Sequence, residues 1–274
     1  MKIASLAFVL SACLLSPFSN ADTHLDAIQS AVDHNSRTSS NIQRDQYRHP
    51  AQTLNFFEVT PSSTVVEISP GGGWYTEILA PLLAEKGKLY AAHFPTNTSS
   101  EYYKNSRANF VKKLADNPIY NRVVLTEFAI NHSEAIAPAN SADIVLTFRN
   151  LHNWYSQNGD EALLNAYKQF YTALKPGGIL GVVEHSLPLA QKDSDWLKSG
   201  YVPEELAIKL AEQAGFVLEA TSDINANPKD TADYKHGVWT LPPSLRLKEQ
   251  DRAKYLAIGE SNRMTLKFRK PLTP

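Results

Sequence analysis

The 274-residue sequence holds one cysteine, Cys13, and that scarcity already removes several chemistries. A chain processed after Ala21 has none. It can form no disulfide, has no thiol nucleophile, and can ligate a metal only through histidine and carboxylate. A surplus of either charge is also missing: 27 Lys+Arg stand against 28 Asp+Glu, for a formal net charge of −1. The two signs are interspersed, with no basic run and no acidic tail, so there is no electrostatic footprint for nucleic acid. No repeat period shows. The apolar run from Ile3 to Leu15 falls short of the roughly 20 residues a permanent membrane span needs. There is no G-x-S-x-G elbow of a serine hydrolase and no H-E-x-x-H metal motif.

What is present begins with Lys2, the apolar run, and small residues ending in Ser19-Asn20-Ala21. That order describes a secretory signal peptide over residues 1–21, with cleavage before Asp22, and so an exported, periplasmic protein. Leu10-Ser11-Ala12-Cys13 also has the form of a lipoprotein processing box, which would anchor the protein through Cys13. The hydrophobic content of 43% suffices for a full core. The expected organisation is a helical extension or cover over residues 22–60, followed by one α/β domain over 61–274.

The chain is organised around Val65-Val66-Glu67-Ile68-Ser69-Pro70-Gly71-Gly72-Gly73-Trp74. A β-branched run with the pattern of a buried strand passes through three glycines into Tyr75, Ile78, Leu79, Leu82 and Leu83, which repeat at helical spacing. Glycines at such a turn let the backbone take positive φ and approach a ligand, and the helix beyond offers unpaired N–H groups. The pattern is that of a nucleotide-type site. It is not the G-x-G-x-x-G of dinucleotide enzymes, because Ser69 takes the first glycine's place and the acid, Glu67, precedes the loop.

Further strands are expected at Lys88–His93, Arg122–Phe128, Ala142–Phe148, Ile179–Glu184, Phe216–Thr221 and Arg263–Lys270. Helices are expected at Glu101–Ala115, through Leu163 to Leu174, and through Ala207 to Ala214, and Pro81 should end or kink the helix begun at Trp74. Leu25, Ile28 and Val32 could line one face of an N-terminal helix, and Asn227 to Gly259 reads as irregular. The alternation argues for a seven-stranded, mostly parallel sheet with helices on both faces, whose ligands bind beyond the C-terminal strand ends. Arg44, Tyr47, Arg48 and His49, just before the first strand, have the chemistry of a cover that fixes a polar ligand.

These stretches resemble a bacterial group of predicted class I S-adenosylmethionine (SAM)-dependent methyltransferases, many with export signals. The likeness rests on Arg44-Asp-x-Tyr-Arg-His-Pro50, the block Glu67 to Pro81, Thr147-Phe-Arg-Asn-Leu-His152, Leu174-Lys-Pro-Gly-Gly178, Glu184-His185, Asn227-Pro-Lys-Asp230 and Leu266 to Pro271. It covers most of the chain after residue 21. The resemblance implies a Rossmann-like class I methyltransferase fold whose last strand is antiparallel. It also implies SAM as cofactor, held by Glu67, Ser69, Gly71, Gly72 and Gly73, with the acid near the amino-acid part. His93 stands where the family usually carries an acid for the ribose hydroxyls. The methyl acceptor, a small molecule or another group, is not implied.

Methyl transfer asks the protein for positioning and a base. Asn150 and His152, after the fourth strand, are the first candidates, with His185 and Glu184 second; Trp154 is pocket wall and Trp74 helix packing. Two alternatives stay open. One is a non-catalytic exported small-molecule binder of the same fold. The other is a metal site drawn from His93, His132, His152 and His185 with Glu67, Glu127 or Glu184.

Overall fold

A computed structural model describes residues 20–131, 134–192 and 194–272. Of the signal peptide expected over residues 1–21, residues 1–19, with Cys13 of the lipoprotein box, lie outside the described residues, as does His132. In chain order, α1 (Asn20–Val32), α2 (Ser39–Ile42), α3 (Asp45–Arg48) and α4 (Pro50–Phe56) precede β1 (Thr64–Ile68). There follow α5 (Thr76–Leu83), β2 (Lys88–His93), α6 (Glu101–Asp116), β3 (Val123–Glu127), β4 (Ala142–Phe148), α7 (Leu151–Ala173) and β5 (Leu174–His185). The chain closes with α8 (Glu204–Gln213), β6 (Val217–Ser222), α9 (Arg252–Ile258) and β7 (Arg263–Arg269).

The seven strands form one sheet in the order β3-β2-β1-β4-β5-β7-β6. The first five in that order run parallel, and β7 runs antiparallel to both β5 and β6. This is the expected topology. Strand alternation sends Val66 and Ile68 of β1 into the core layer under α7 and α8, while Val65 joins the layer under α1, α4 and α5. Glu67 shares the face of Val65. Because β7 is antiparallel, the residues just before it arrive at the same sheet edge as the C-terminal ends of the parallel strands, which decides what the site contains.

Several boundaries differ from the sequence expectation. Ile28, Ala31 and Val32 are buried but Leu25 is 40% exposed, because α1 packs on α4 and α5 through its second half. Pro81 sits inside α5, two residues before its end. The fifth strand begins at Leu174, with a register shift in its pairing to β4 that absorbs Pro176-Gly177-Gly178. The stretch read as irregular holds α9.

The N-terminal helices are tied down by specific bonds. Arg37 makes a two-pronged pair with Asp45 at 2.7 and 2.8 Å, and Thr38 donates through N–H and hydroxyl to the buried Glu77 of α5. The centre of β5 meets α4 with no room to spare: a Cβ on Gly181 would stand 2.7 Å from Leu146 Cδ2 and 2.8 Å from Phe57 Cγ. Gly181→Ala should therefore destabilise the protein by about 1–3 kcal/mol through overpacking, read as a lower urea midpoint with an unchanged slope.

Candidate functional site

The helices that follow β1 and β4 leave for opposite faces of the sheet, so a crevice opens between these adjacent strands. A cavity of about 790 Å³ lies there, within the size range of small-molecule sites. Its wall takes residues from the turn after β1, the loops after β2 and β3, the end of β4 and start of α7, His185, and the segments around Trp239 and Glu260.

The turn Ser69–Gly73 has the backbone the sequence suggested, at one unexpected position. Gly71 and Gly73 take φ of +59° and +78°, and Ser69 itself takes +48°. The left-handed region costs a side-chain-bearing residue roughly 1–2 kcal/mol, and the turn offsets it with Ser69 N–H donating to Ala92 at 2.8 Å and Gly73 N–H to Pro70 at 2.9 Å. Serine thus holds a left-handed position of the turn, and its buried hydroxyl has no partner among the described residues. A Cβ on Gly71 or Gly72 would meet nothing within 4 Å, so both present bare backbone to the cavity. Gly73 does not line it; it faces α6, where a Cβ would stand 3.0 Å from Phe110.

His93 does not reach the cavity either, contrary to its expected place among the cofactor contacts. It is fully buried behind the turn. Its Nδ1 accepts from Phe94 N–H at 2.8 Å, so the proton sits on Nε2, which donates to the Gly71 carbonyl at 3.1 Å. Burial holds its pKa down at about 4. The ring is a neutral strut that fixes the turn. Glu127, its neighbour across β3, accepts from Thr96 N–H and pairs with Arg107, bracing the loop after β2.

Glu67 is 2% exposed and lines the cavity. Its one short bond comes from the Thr76 hydroxyl at 2.6 Å. Burial raises its pKa to about 7, against the lowering effects of Thr76 and Lys113.

The proposed cover divides. Arg44 and Arg48 line the cavity, whereas Tyr47 and His49 do not. The Tyr47 ring packs under Gly259 and its carbonyl accepts from Arg263 at 2.6 Å. His49 takes φ +41° to join α3 to α4, which turns it away, and burial followed by Arg263 lowers its pKa. Trp74 is 7% exposed, with the guanidiniums of Arg37 and Arg48 at 5.2 and 4.7 Å from its ring and its indole N–H on the Asn41 carbonyl. It packs the cover onto the turn. Trp154 is 5% exposed and lines the cavity against Phe128 and Phe170.

Asn150 donates to the Ile68 carbonyl at 3.1 Å and to Thr147 at 3.2 Å, spanning the gap between β1 and β4. Glu184, fully buried, accepts from His185 N–H at 2.7 Å, His152 N–H at 3.4 Å and His152 Nδ1 at 3.1 Å. The His152 and His185 ring centroids are 5.4 Å apart. His185 Nδ1 meets the Ser261 hydroxyl at 2.5 Å. Burial, then His152, Arg149, Arg263 and Arg48, hold its pKa well below the usual histidine value.

Of the histidines weighed for a metal that lie among the described residues, His152 and His185 converge; with Glu184, their ligating atoms lie within 4.8 Å of one another. His93 is engaged at both nitrogens. The field at His185 is positive, which suits an uncharged imidazole and opposes a divalent cation.

Sequence reasoning missed three groups: Arg149, Glu260 with Ser261, and Trp239 with Pro242–Ser244, all of which line the cavity. Trp239 came from a stretch without period. Glu260 and Ser261 could have been found by asking where the start of an antiparallel last strand must lie.

No protein-family profile matches the chain, and no curated protein does. Solved structures do. A SAM-dependent methyltransferase from Aquifex aeolicus is similar over 90% of this chain and 98% of its own, with TM-score 0.53 and 17% identity. The [4+2]-cyclase SpnF matches over 90% and 93%, with TM-score 0.57 and 17% identity. Geranyl diphosphate C-methyltransferase from Streptomyces coelicolor A3(2), solved with Mg2+, geranyl diphosphate and S-adenosyl-L-homocysteine, matches over 94% and 89%, with TM-score 0.57 and 12% identity. The fold is thus the Rossmann-like class I methyltransferase fold, with an N-terminal helical extension.

The raised pKa of Glu67 has a consequence for stability. The folded state keeps this proton to about pH 7, while the unfolded chain releases it near the ordinary carboxylate value. The contribution is present below that value and is lost as pH rises to about 7, by up to about 3 kcal/mol. Glu67→Gln should remove this slope, checked by urea unfolding of both proteins at pH 4.5, 6 and 8.

Proposed function

We propose that the protein is an exported class I SAM-dependent methyltransferase acting on a small-molecule acceptor. The observation that carries this reading is the Ser69–Gly73 turn, bare of side chains at Gly71 and Gly72, set beside buried Glu67 in a cavity of about 790 Å³ on that fold. The residues present fit such a cofactor. Gly71 and Gly72 admit close approach of its backbone-facing side, the orphan Ser69 hydroxyl can bond to it, and Glu67 can hold its ammonium as a carboxylate. Phe94 and Tyr103, stacked with centroids 4.0 Å apart, offer an aromatic surface for a base. With His93 behind the turn, the ribose hydroxyls fall to amides such as Asn97 and Asn131, which line the cavity.

The cofactor supplies an electrophilic methyl group when bound. The chain itself orients the acceptor through Asn150 and takes its proton on His152. Glu184 already accepts two backbone N–H groups and faces His152 Nδ1 as an acceptor, so the His152 proton sits on Nδ1 and leaves Nε2 as the base. The aromatic wall of Trp154, Trp239 and Phe148 excludes water from the reacting atoms. A second reading, a non-catalytic binder or an enzyme of another reaction on this fold, is favoured by one observation: no acid among the described lining residues stands at the end of β2. The [4+2]-cyclase SpnF has a similar fold and another activity.

Calorimetric titration with SAM and with S-adenosylhomocysteine tests the reading. Saturable binding is expected, weakened at least about tenfold by Gly71→Val, whose branched side chain must adopt positive φ against the ligand. No heat from either compound at millimolar concentration would sink it. Export is tested by the mass of the protein recovered from the producing cell: a chain beginning at Asp22 supports signal cleavage, and a lipidated chain beginning at Cys13 supports the anchored form. A chain that keeps Met1 contradicts both.

A further inference from the structure

Four arginines crowd the inner end of the cavity around one carboxylate. Glu260, 4% exposed, receives Arg44 Nε at 2.6 Å, Arg48 Nε at 3.2 Å and Arg263 Nη1 at 3.4 Å. That pairing leaves donors over. Arg48 is 2% exposed, lines the cavity, and has no partner for Nη2 among the described residues; the same holds for Nη2 of Arg44. The Arg149 guanidinium lines the cavity and makes no hydrogen bond or ion pair to any described residue. It is placed there by a backbone φ of +62°, and its N–H bonds the Val183 carbonyl at 2.7 Å.

Burial and mutual repulsion lower the pKa values of Arg48, Arg149 and Arg263 to about 9–10, yet all stay charged at neutral pH. Glu184 is the next carboxylate, and it is occupied by His152 and two backbone N–H groups. Buried guanidinium donors without an acceptor, such as Nη2 of Arg48 and of Arg44, are costly unless an anion completes them. Guanidiniums present paired N–H groups in the geometry that carboxylate and phosphate oxygens accept.

We infer that Arg48 and Arg149, with Arg44, form an anion-binding subsite, and that the methyl acceptor is a small molecule bearing a carboxylate or phosphate. This rests on the methyltransferase reading for the word acceptor, not for the site. The subsite lies towards β4, β5 and the start of β7, next to His185 and the His152 base. It lies on the other side of β1 from the loop after β2. An anion held there sets an acceptor's nucleophilic atom beside His152. The other source of the same chemistry is the carboxylate of the cofactor's own amino-acid part, and the test separates the two.

The probes are inorganic phosphate and acetate, titrated at fixed ionic strength and followed by tryptophan fluorescence, since Trp74 lies beneath Arg48 and Trp239 lines the cavity. The variants are Arg149→Asn, because asparagine tolerates positive φ, and Arg44→Gln at a part-exposed position that keeps the test alive if the first variant does not fold. The expected result is saturable phosphate or acetate binding that persists under saturating S-adenosylhomocysteine and weakens about tenfold or more in either variant. Competition between phosphate and S-adenosylhomocysteine would overturn the acceptor assignment, if Arg149→Asn also weakens S-adenosylhomocysteine but not 5′-methylthioadenosine, which lacks the carboxylate. Absence of saturation through tens of millimolar of both anions overturns the subsite altogether. Saturation by phosphate without any binding of S-adenosylhomocysteine upholds the subsite and defeats the methyltransferase reading.

Discussion

The Glu260 carboxylate joins parts of the chain more than two hundred residues apart. Its partners Arg44 and Arg48 belong to the N-terminal helices, and Arg263 opens the last strand. Burial alone would raise its pKa; Arg48, Arg263 and Arg44 outweigh burial and hold it at about 2, so the group is ionised at neutral pH. Removing Glu260 would leave the guanidiniums around it uncompensated and cost several kcal/mol, on the order of 3–5. The clasp therefore fixes α3 over the crevice. Together with the Arg37–Asp45 pair and the Thr38–Glu77 bonds, it holds a roof over the turn after β1, where Arg48 lies on the Trp74 ring.

Below that roof, order comes from neutral groups. His93 and Ser69 act together at the turn after β1. Ser69 accepts a strained backbone, while His93 Nε2–H fixes the Gly71 carbonyl from behind. A carboxylate at position 93 would accept only and could not hold that carbonyl. With both in place the turn is set before any ligand arrives. Pre-organisation of this kind lowers the entropy a ligand must otherwise supply.

The alternation of strands and helices, the antiparallel last strand and the turn at Glu67–Gly73 were legible because each depends on local period and glycine placement. What was not legible depended on packing between distant segments. His93, Tyr47 and His49 are polar residues at strand or helix ends, where sequence suggests exposure; tertiary contacts turn each away from the cavity. Glu260 and Arg149 were overlooked for the opposite reason. Neither sits in a glycine motif or a periodic run, and only the sheet order brings them to the same edge. The Asn227 to Gly259 stretch supplies Trp239 and Pro242 to the wall through irregular backbone, which carries no periodic signal.

The two histidines at the inner end are not equivalent, and the sequence ranks His152 before His185 on nothing more than their places after the fourth and fifth strands. His152 has a carboxylate at Nδ1; His185 has a hydroxyl there and three guanidiniums in its field. A proton arriving at His152 Nε2 creates an imidazolium that Glu184 stabilises directly. The same proton on His185 would face Arg149, Arg263 and Arg48. Environments that separate two like groups assign them different work. On the proposed reading, His152 takes the acceptor's proton, and His185, held neutral against Ser261, stays a hydrogen-bonding wall between the base and the arginines. An anion on those arginines would soften the difference, and that couples acceptor binding to the electrostatics of the base beside it.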